Sequence, residues 1–277
     1  MRIAVIGHVE HVTLGRVPAL PVAGVIAHLE GARWLPGGGG GIAFHQLVRS
    51  PAEVHLFTAL GHDEAAAQIE ERLRATGAVL HLARRAEPHT RDVVLVTPDG
   101  ERTIIVVGEP QHPRFDDPLP WELLKGCDAA YFTAQDPAAM VAARAARLLV
   151  VTARRRPALI ASGVRADVVV GSAADPREQG GLADYPVPPG ALVLTEGKAG
   201  GTVTSVEETL RFTAPAHSPT GGGAYGAGDS FTGALVYYLA AGLSVVEACT
   251  RAAVHGAAVL ASLDPLAAQL PISADRS

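Results

Sequence analysis

The chain has 277 residues, which is enough for one large α/β domain or two smaller ones. Hydrophobic residues make up 48% and charged residues 18%, which excludes wholesale disorder; the net charge of −5 gives no electrostatic case for nucleic acid as a partner. Two distant cysteines offer no zinc spacing and favour a reducing compartment. Neither a signal-peptide pattern nor a membrane-length apolar run is present, so we expect a cytoplasmic protein without a membrane partner.

Short apolar runs alternate with stretches of helical spacing along most of the chain. The predicted buried strands are 3–6, 54–61, 129–133, 148–152, 168–171 and 192–195. The predicted helices are 42–48, 65–76, 137–147, 230–241 and 252–260. Alternation of this kind predicts an α/β fold with a doubly wound, mostly parallel sheet flanked by helices, which we expect to form a single domain over 1–277.

One region interrupts the alternation. Residues 91–97 and 102–107 are strand-like and are separated by the turn sequence Pro98-Asp99-Gly100-Glu101. Together with residues 9–17 they predict a small antiparallel sheet beside the main one.

The most informative segment is the glycine-rich run 221–228, which is followed by Asp229 and by a helical stretch. Glycines at a helix N-terminus let backbone N–H groups approach an anion, and the helix dipole favours negative charge there. An aspartate in this place fits a general base that takes a proton from a hydroxyl attacking a phosphate. It equally fits an ordinary N-terminal capping residue.

The segment Gly226-Ala227-Gly228-Asp229-Ser230-Phe231 resembles the C-terminal signature of the ribokinase-like (PfkB) carbohydrate kinases. The resemblance implies that Asp229 is the catalytic base and that the amides of Gly226, Ala227 and Gly228 form an anion hole. It also implies ATP and Mg²⁺ as cofactors and a lid made by the small sheet. Gly223 and Ala224 stand at the first two signature positions, near the nucleotide phosphates, where the family has Asp-Thr.

A second glycine cluster, 37–41, fits either a flexible loop or the family's N-terminal, sugar-binding signature. On the second interpretation Gly38 and Gly39 line the substrate site, and Gly41 stands where the family has a sugar-binding Asn. The resemblance places the usual sugar-binding Asp of the first strand on or near Val12. Glu10 lies two residues earlier on the same face of an extended chain and is the candidate replacement.

The resemblance also assigns a nucleotide side. Thr195, Gly197 and Gly200 match a turn at the nucleotide. The helix 252–260 lies beside the adenine, with His255, where many relatives have Asn, and Gly256 as candidate contacts. The family's Asn-x-x-Glu is missing from 171–175, which leaves Asp175 as the candidate metal ligand, acting through water.

Three other interpretations compete. The pattern Gly221-x-Gly223-x-x-Gly226 matches a dinucleotide-binding fingerprint, but it does not follow a strand. Gly228-Asp229-Ser230 resembles an esterase nucleophile motif, without the histidine partner. The third is a non-catalytic member of the same fold that binds nucleotide or sugar, or acts as a regulatory partner.

The resemblance therefore implies an ATP-dependent kinase that phosphorylates a hydroxymethyl group of a small sugar, nucleoside or related polyol. A homodimer through the lid is consistent with the family. The identity of the acceptor cannot be read from the sequence.

Overall fold

The computed structural model describes residues 1–216 and 222–273; Gly221 of the dinucleotide pattern lies outside the described residues. The strands, in chain order, are β1 (Arg2–Ile6), β2 (Glu10–Arg16), β3 (Glu30–Gly37), β4 (Glu53–Leu60), β5 (Val79–Arg84), β6 (Arg91–Val96), β7 (Arg102–Val107), β8 (Ala129–Phe132), β9 (Leu148–Thr152), β10 (Val168–Ser172), β11 (Ala191–Thr195), β12 (Gly201–Thr204) and β13 (Thr209–Phe212). The α-helices are α1 (Gly38–Leu47), α2 (Glu64–Arg74), α3 (Pro137–Ala143), α4 (Arg156–Ser162), α5 (Ala227–Ala240), α6 (Val245–Ala258) and α7 (Pro265–Ala268).

The main sheet has nine strands in the order β13-β12-β11-β10-β9-β8-β1-β4-β5. All pairings from β11 to β5 are parallel, whereas β12 and β13 extend the sheet antiparallel at one edge. Each predicted buried strand lies in the parallel part. These strands are mostly apolar because helices cover both faces of a parallel sheet.

Alternate residues of the central strands pack in two separate hydrophobic cores, one on each face of the main sheet. Ile3 and Val5 of β1 pack in the layer formed with α1, α2, α5 and α6, while Ala4 and Ile6 pack on the opposite face with α3 and α4. The period of two along an extended chain produces this division. The prediction of a doubly wound, mostly parallel sheet is confirmed.

A second sheet of four strands, in the order β3-β2-β6-β7, stands beside the first. The predicted hairpin of β6 and β7 is antiparallel, and so is the β2–β3 pair; β2 and β6, which join the two pairs, run parallel. Strand β3 was not predicted because its sequence, Glu-Gly-Ala-Arg-Trp-Leu-Pro-Gly, is mostly exposed and has no apolar alternation. We call this four-stranded sheet the lid sheet.

The glycine cluster 37–41 is regular structure rather than a loop: Gly37 ends β3, and α1 begins at Gly38, four residues before the predicted start. Close packing explains why glycine occupies this turn. A Cβ on Gly40 would lie 2.5 Å from the His8 carbonyl oxygen, and a Cβ on Gly41 would lie 3.2 Å from the Pro36 carbonyl oxygen. The interpretation of this segment as a flexible loop is therefore wrong.

No helix within residues 1–216 or 222–273 combines the length and the apolar character that crossing a bilayer requires.

Candidate active site

The candidate site lies where the strand order of the main sheet reverses. From β1 the chain proceeds to β4 and β5 on one side, while β8, β9 and β10 continue on the other. The carboxyl ends of β1 and β8 therefore border a crevice, and such crevices bind ligands in open α/β sheets. His8 follows β1, Thr133 follows β8, and Arg154 and Arg155 follow β9.

The N-terminus of α5 faces this crevice. Gly226 precedes the helix with a φ of 81°, a left-handed conformation that favours glycine. In the described part of the chain, the N–H groups of Gly228 and Asp229 have no hydrogen-bond acceptor. A Cβ on Gly228 would meet nothing within 4 Å. Free amides and open space at a helix N-terminus suit an anion such as phosphate.

Asp229 lies in the first turn of α5, close to the glycines of α1. A Cβ on Gly39 would lie 3.2 Å from Asp229 Oδ1 and 3.4 Å from Thr133 Oγ1, so only a residue without a side chain keeps this space open. Burial raises the pKa of the Asp229 carboxyl, and the nearby Glu178 adds to this; the positive charge of Arg154 lowers it. A carboxylate with a raised pKa suits a general base.

Glu10 projects from the lid sheet onto the same glycines. Its Oε2 would lie 3.0 Å from a Cβ on Gly38, and the Gly38 N–H donates to the hydroxyl oxygen of Tyr225 (3.3 Å). Burial raises the pKa of Glu10 to about 9, reinforced by the charge and hydrogen bond of Asp92 on β6. The carboxyl groups of Glu10 and Asp92 are therefore close enough to share a proton.

The other two predicted substrate residues pack in apolar surroundings. Val12 is fully buried in a small core with Leu14, Leu35 and Ile42. A Cβ on Gly41 would meet Pro36 and Val9 rather than the crevice. The structure thus brings Glu10, Gly38 and Gly39 together and leaves Val12 and Gly41 behind them as packing residues.

The predicted nucleotide residues lie on two elements. Thr195 ends β11, and its hydroxyl donates to the Gly171 carbonyl (3.3 Å). Gly197 (φ 58°) and Gly200 (φ 86°) form the tight turn that leads into β12. The turn thus joins the antiparallel strands β11 and β12 as a hairpin, and its contact with a nucleotide stays a prediction.

His255 and Gly256 lie on α6. The His255 ring is buried, and its Nε2 pairs with the Tyr238 hydroxyl (3.2 Å). A Cβ on Gly256 would lie 3.1 Å from the Ala227 carbonyl oxygen, so Gly256 lets α6 support the first turn of α5. Both residues pack at the α5–α6 interface; their contact with a nucleotide stays a prediction.

Gly223 and Ala224 lie between the lid sheet and α5. A Cβ on Gly223 would lie 3.1 Å from Val96 of β6, and the Ala224 N–H donates to the Gly100 carbonyl (3.2 Å) in the β6–β7 turn. The signature segment is therefore held against the tip of the lid hairpin.

Asp175 and Glu178 share Arg154. The guanidinium lies 2.7 Å from Asp175 Oδ2 and 2.7 Å from Glu178 Oε1. The Ser172 N–H donates to Glu178 Oε2 (2.9 Å), which turns the loop after β10 back towards the crevice. A Cβ on Gly171 would lie 2.8 Å from the Ala153 Cβ, so glycine is required where the family has Asn.

Glu178 was not predicted from the sequence, because the family motif places its glutamate closer to the end of β10. The glutamate stands three residues after Asp175, on a loop that folds back. Asp92, His112 and Arg155 were missed too, because none belongs to a motif. Only Arg155 carried a general signal, as a polar residue just past the end of a parallel strand.

The residues present fit a nucleotide phosphate better than a preformed metal site. The α5 N-terminus supplies free amides for an anion. Among the described residues, no three His, Cys, Asp or Glu side chains form a group that could hold a metal ion. A magnesium ion held mainly by substrate phosphates, with one or two carboxylates, remains compatible with this arrangement.

Residues 186–270 match the model of the pfkB family carbohydrate kinases. That segment includes β11, the 195–200 turn, Asp229 and α6. The resemblance seen in the sequence is therefore confirmed. No curated protein sequence matches the chain.

Solved structures share the whole fold at low identity. A candidate ribokinase from Agrobacterium tumefaciens is 18% identical, with a TM-score of 0.79 over 97% of this chain and 94% of that one. Adenosine kinase from Sinorhizobium meliloti is 17% identical, with a TM-score of 0.77 and 95% of each chain covered. Arabidopsis thaliana ribokinase, complexed with ribose and ATP, is 16% identical, with a TM-score of 0.74 over 97% and 95%. The chain has the ribokinase fold.

Proposed function

We propose that the protein is an ATP-dependent kinase that phosphorylates a hydroxymethyl group of a sugar, nucleoside or related polyol. The observation that carries the proposal is the position of Asp229, next to free amides at the α5 N-terminus and across from Gly39 at the strand-order reversal. A phosphoryl group on the amides and a hydroxyl beside Gly39 would both be within reach of this carboxylate. The known ribokinase and adenosine kinase structures support the reaction class by analogy of fold.

In this proposal Asp229 accepts the proton of the acceptor hydroxyl as its oxygen bonds to the γ-phosphorus and the bond to ADP breaks. The amides of Gly226, Ala227 and Gly228 stabilise negative charge on the transferring oxygens. Phosphoryl transfer depends mainly on such positioning and electrostatic stabilisation. Mg²⁺ bound to the phosphates would supply further charge neutralisation, with Asp175, and Glu178 beside it, as the nearest carboxylates on Arg154.

The lid sheet has a second role in this mechanism. It carries Glu10 and Asp92 over the acceptor position, and its β6–β7 turn contacts Ala224 just before the anion hole. A lid closed on both substrates excludes water and limits wasteful hydrolysis of ATP. The expected nucleotide contacts at Thr195, Gly197, Gly200, His255 and Gly256 complete the site.

The test is ADP release from Mg-ATP across a panel of sugars, sugar acids, sugar phosphates and nucleosides. We expect acceptor-dependent release that falls roughly 10²- to 10⁴-fold in Asp229→Asn, the usual contribution of a general base. Asp128→Asn is the matched control. Asp128 precedes β8, so it lies at the amino end of a strand whose carboxyl end borders the crevice. That control should keep its turnover.

Two results would count against the kinase. One is undiminished turnover in Asp229→Asn, which would remove the assigned base. The other is no release with any acceptor while the wild type and Asp229→Asn bind nucleotide or sugar equally in calorimetry. That second result would favour the non-catalytic binding or regulatory protein.

A further inference from the structure

Three consecutive arginines, 154–156, follow β9, and the first two have different surroundings. Arg154 pairs with Asp175 and Glu178 and lies near Asp229, on the phosphate side of the crevice. Arg155 turns to the other side, where its Nε–H donates to the Thr133 carbonyl (2.8 Å) and its Nη2 lies 3.4 Å from His112 Nε2. Arg155 therefore lies with the acceptor residues rather than with the phosphates.

The positive charge of Arg155 is not neutralised within the part of the chain that the structure describes. No carboxylate oxygen there lies within 4.0 Å of its guanidinium, in contrast to Arg154. Burial lowers the pKa of Arg155, which reflects the cost of holding this charge away from water. A partly buried guanidinium without an anion is costly unless a ligand supplies one.

The His112 ring contacts Arg155 without bringing a charge to it. Arginine can only donate, so the contact with Arg155 makes His112 Nε2 an acceptor and leaves the ring proton on Nδ1. Nδ1 is buried and has no hydrogen-bond partner among the described residues. Burial lowers the pKa of His112, so the ring stays neutral and keeps this single proton.

The other groups that face this position do not cancel its charge. Burial and the neighbouring Asp92 keep Glu10 protonated, with a pKa of about 9, and burial lowers the pKa of His8 to about 3. His8 and His112 meet edge to face, with ring centroids 4.7 Å apart. Glu10, His8 and His112 are thus uncharged beside Arg155, and the neighbouring Arg154 is itself paired with Asp175 and Glu178.

We propose that Arg155 binds an anionic group of the phosphate acceptor, a carboxylate or a phosphate, through the guanidinium N–H groups that Thr133 and His112 leave free. The acceptor class is then a sugar acid or a sugar phosphate rather than a neutral sugar or nucleoside. The planar guanidinium can bind either group through two parallel hydrogen bonds. The identification of this ligand as the acceptor rests on the proposed kinase function.

The experiment measures binding without nucleotide by calorimetry, using ribose, ribonate and a ribose phosphate, and the glucose, gluconate and glucose phosphate series. The wild type should bind one anionic member of a series at least tenfold more tightly than its neutral member. Which anion binds distinguishes carboxylate from phosphate. Arg155→Met should weaken that anion roughly 10- to 100-fold, the usual range for hydrogen bonds to a charged group, and leave the neutral member unchanged.

Two variants complete the design. Arg155→Lys keeps the charge and should recover only part of the lost affinity, because an ammonium lacks the two-pronged geometry. Arg165→Met removes the same charge at an exposed position, where the side chain donates to the Pro188 carbonyl (3.2 Å), and should bind like wild type. Thermal unfolding of each variant checks that it is folded.

Three results would overturn the inference: preference for neutral ligands, equal weakening of neutral and anionic ligands by Arg155→Met, or an increase in the KM for ATP alone. The last would place Arg155 on the nucleotide. Binding is measured without ATP, so the anion site and the kinase activity are tested separately. If the anion binds but no ADP is released with any acceptor, the kinase proposal is refuted and the anion site is retained.

Discussion

At the scale of single residues, Glu10 is the side chain whose ionisation most affects the site. It lies beside Asp92 in the lid sheet, and Asp229 also raises its pKa, whereas Arg155 lowers it. Burial is the main cause of the raised pKa of Glu10, and the carboxyl groups of Asp92 and Asp229 add to it, so Glu10 stays protonated at neutral pH. A protonated Glu10 can donate a hydrogen bond to Asp92. The buried Asp92 Oδ1 has no hydrogen-bond partner in the described chain and is left to accept a hydrogen bond from a hydroxyl group of the phosphate acceptor.

This arrangement makes stability depend on pH. The folded pKa of Glu10, about 9, exceeds the ordinary value of 4.5, so the folded state holds more protons than the unfolded state between these values. The free energy of unfolding therefore loses a contribution as pH rises through that window. Glu10→Gln removes the titration and keeps a donor for Asp92. We expect its stability relative to wild type to increase steadily from pH 4.5 to pH 9.

Urea unfolding across that pH range measures the effect. Glu71→Gln, an exposed change on α2, serves as the control and should run parallel to wild type at every pH. A constant difference between Glu10→Gln and wild type would show that Glu10 titrates normally and that the shared proton is absent.

At the scale of elements, the crossing of α1 and α5 sets the geometry of the site, because Gly39 and Asp229 lie at its open end. The two helices meet at Gly233, where a Cβ would lie 2.6 Å from the Ala43 carbonyl oxygen and 3.0 Å from the Gln46 Cβ. Backbone lies directly opposite the glycine. The helices can therefore approach this closely only without a side chain at 233.

Gly233→Ala tests this contact. Alanine favours a helix interior by about 1 kcal/mol over glycine, whereas overpacking a tight core costs about 1–3 kcal/mol. Because the obstacle is a carbonyl of another helix, we expect the steric cost to exceed the gain and net stability to fall by about 1–2 kcal/mol. Urea unfolding measures the change, and in the kinase assay turnover should fall as Asp229 moves relative to Gly39.

Gly181→Ala is the matched control, since Gly181 has a φ of −124° and nothing lies within 4 Å of its Cβ position. It should be neutral or slightly stabilising. A Gly233→Ala variant as stable as wild type would mean that α1 and α5 can separate without cost.

Elements were predictable where one physical signal dominated. The central strands are mostly apolar because both faces are buried, and so their sequences identified them. Strands β3, β5 and β13 carry exposed polar residues and take their conformation from neighbouring strands, which a local pattern does not reveal. Asp229 was recognisable from its motif; Glu178 and Arg155 depend on how loops fold back in three dimensions.

At the scale of the whole molecule, the lid sheet exposes aliphatic side chains on an edge strand. Strand β7 forms one edge, and its residues Ile104, Ile105, Val106 and Val107 are 43–54% exposed. The register places Ile104 and Val106 on the face of Val94 and Asp92, over the crevice, and Ile105 and Val107 on the outer face. An exposed, aliphatic edge strand is prone to pair with another chain.

We propose that a second copy of this chain covers the outer face of the lid sheet. Leu20, Val22, Val25 and Ile26, in the segment between β2 and β3, are exposed apolar side chains as well. The lid would then be ordered by association, and acceptor binding would depend on protein concentration.

The double variant Ile105→Glu/Val107→Glu tests the dimer. Two carboxylates on the outer face should repel their counterparts in a second lid, so sedimentation equilibrium should show a dimer for wild type and a monomer for the variant. Val254→Glu, at a valine of α6 that is 45% exposed outside the lid sheet, is the control and should remain dimeric. A monomeric wild type at every concentration would refute the dimer. If the variant dissociates and acceptor affinity is unchanged, association does not order the lid for binding.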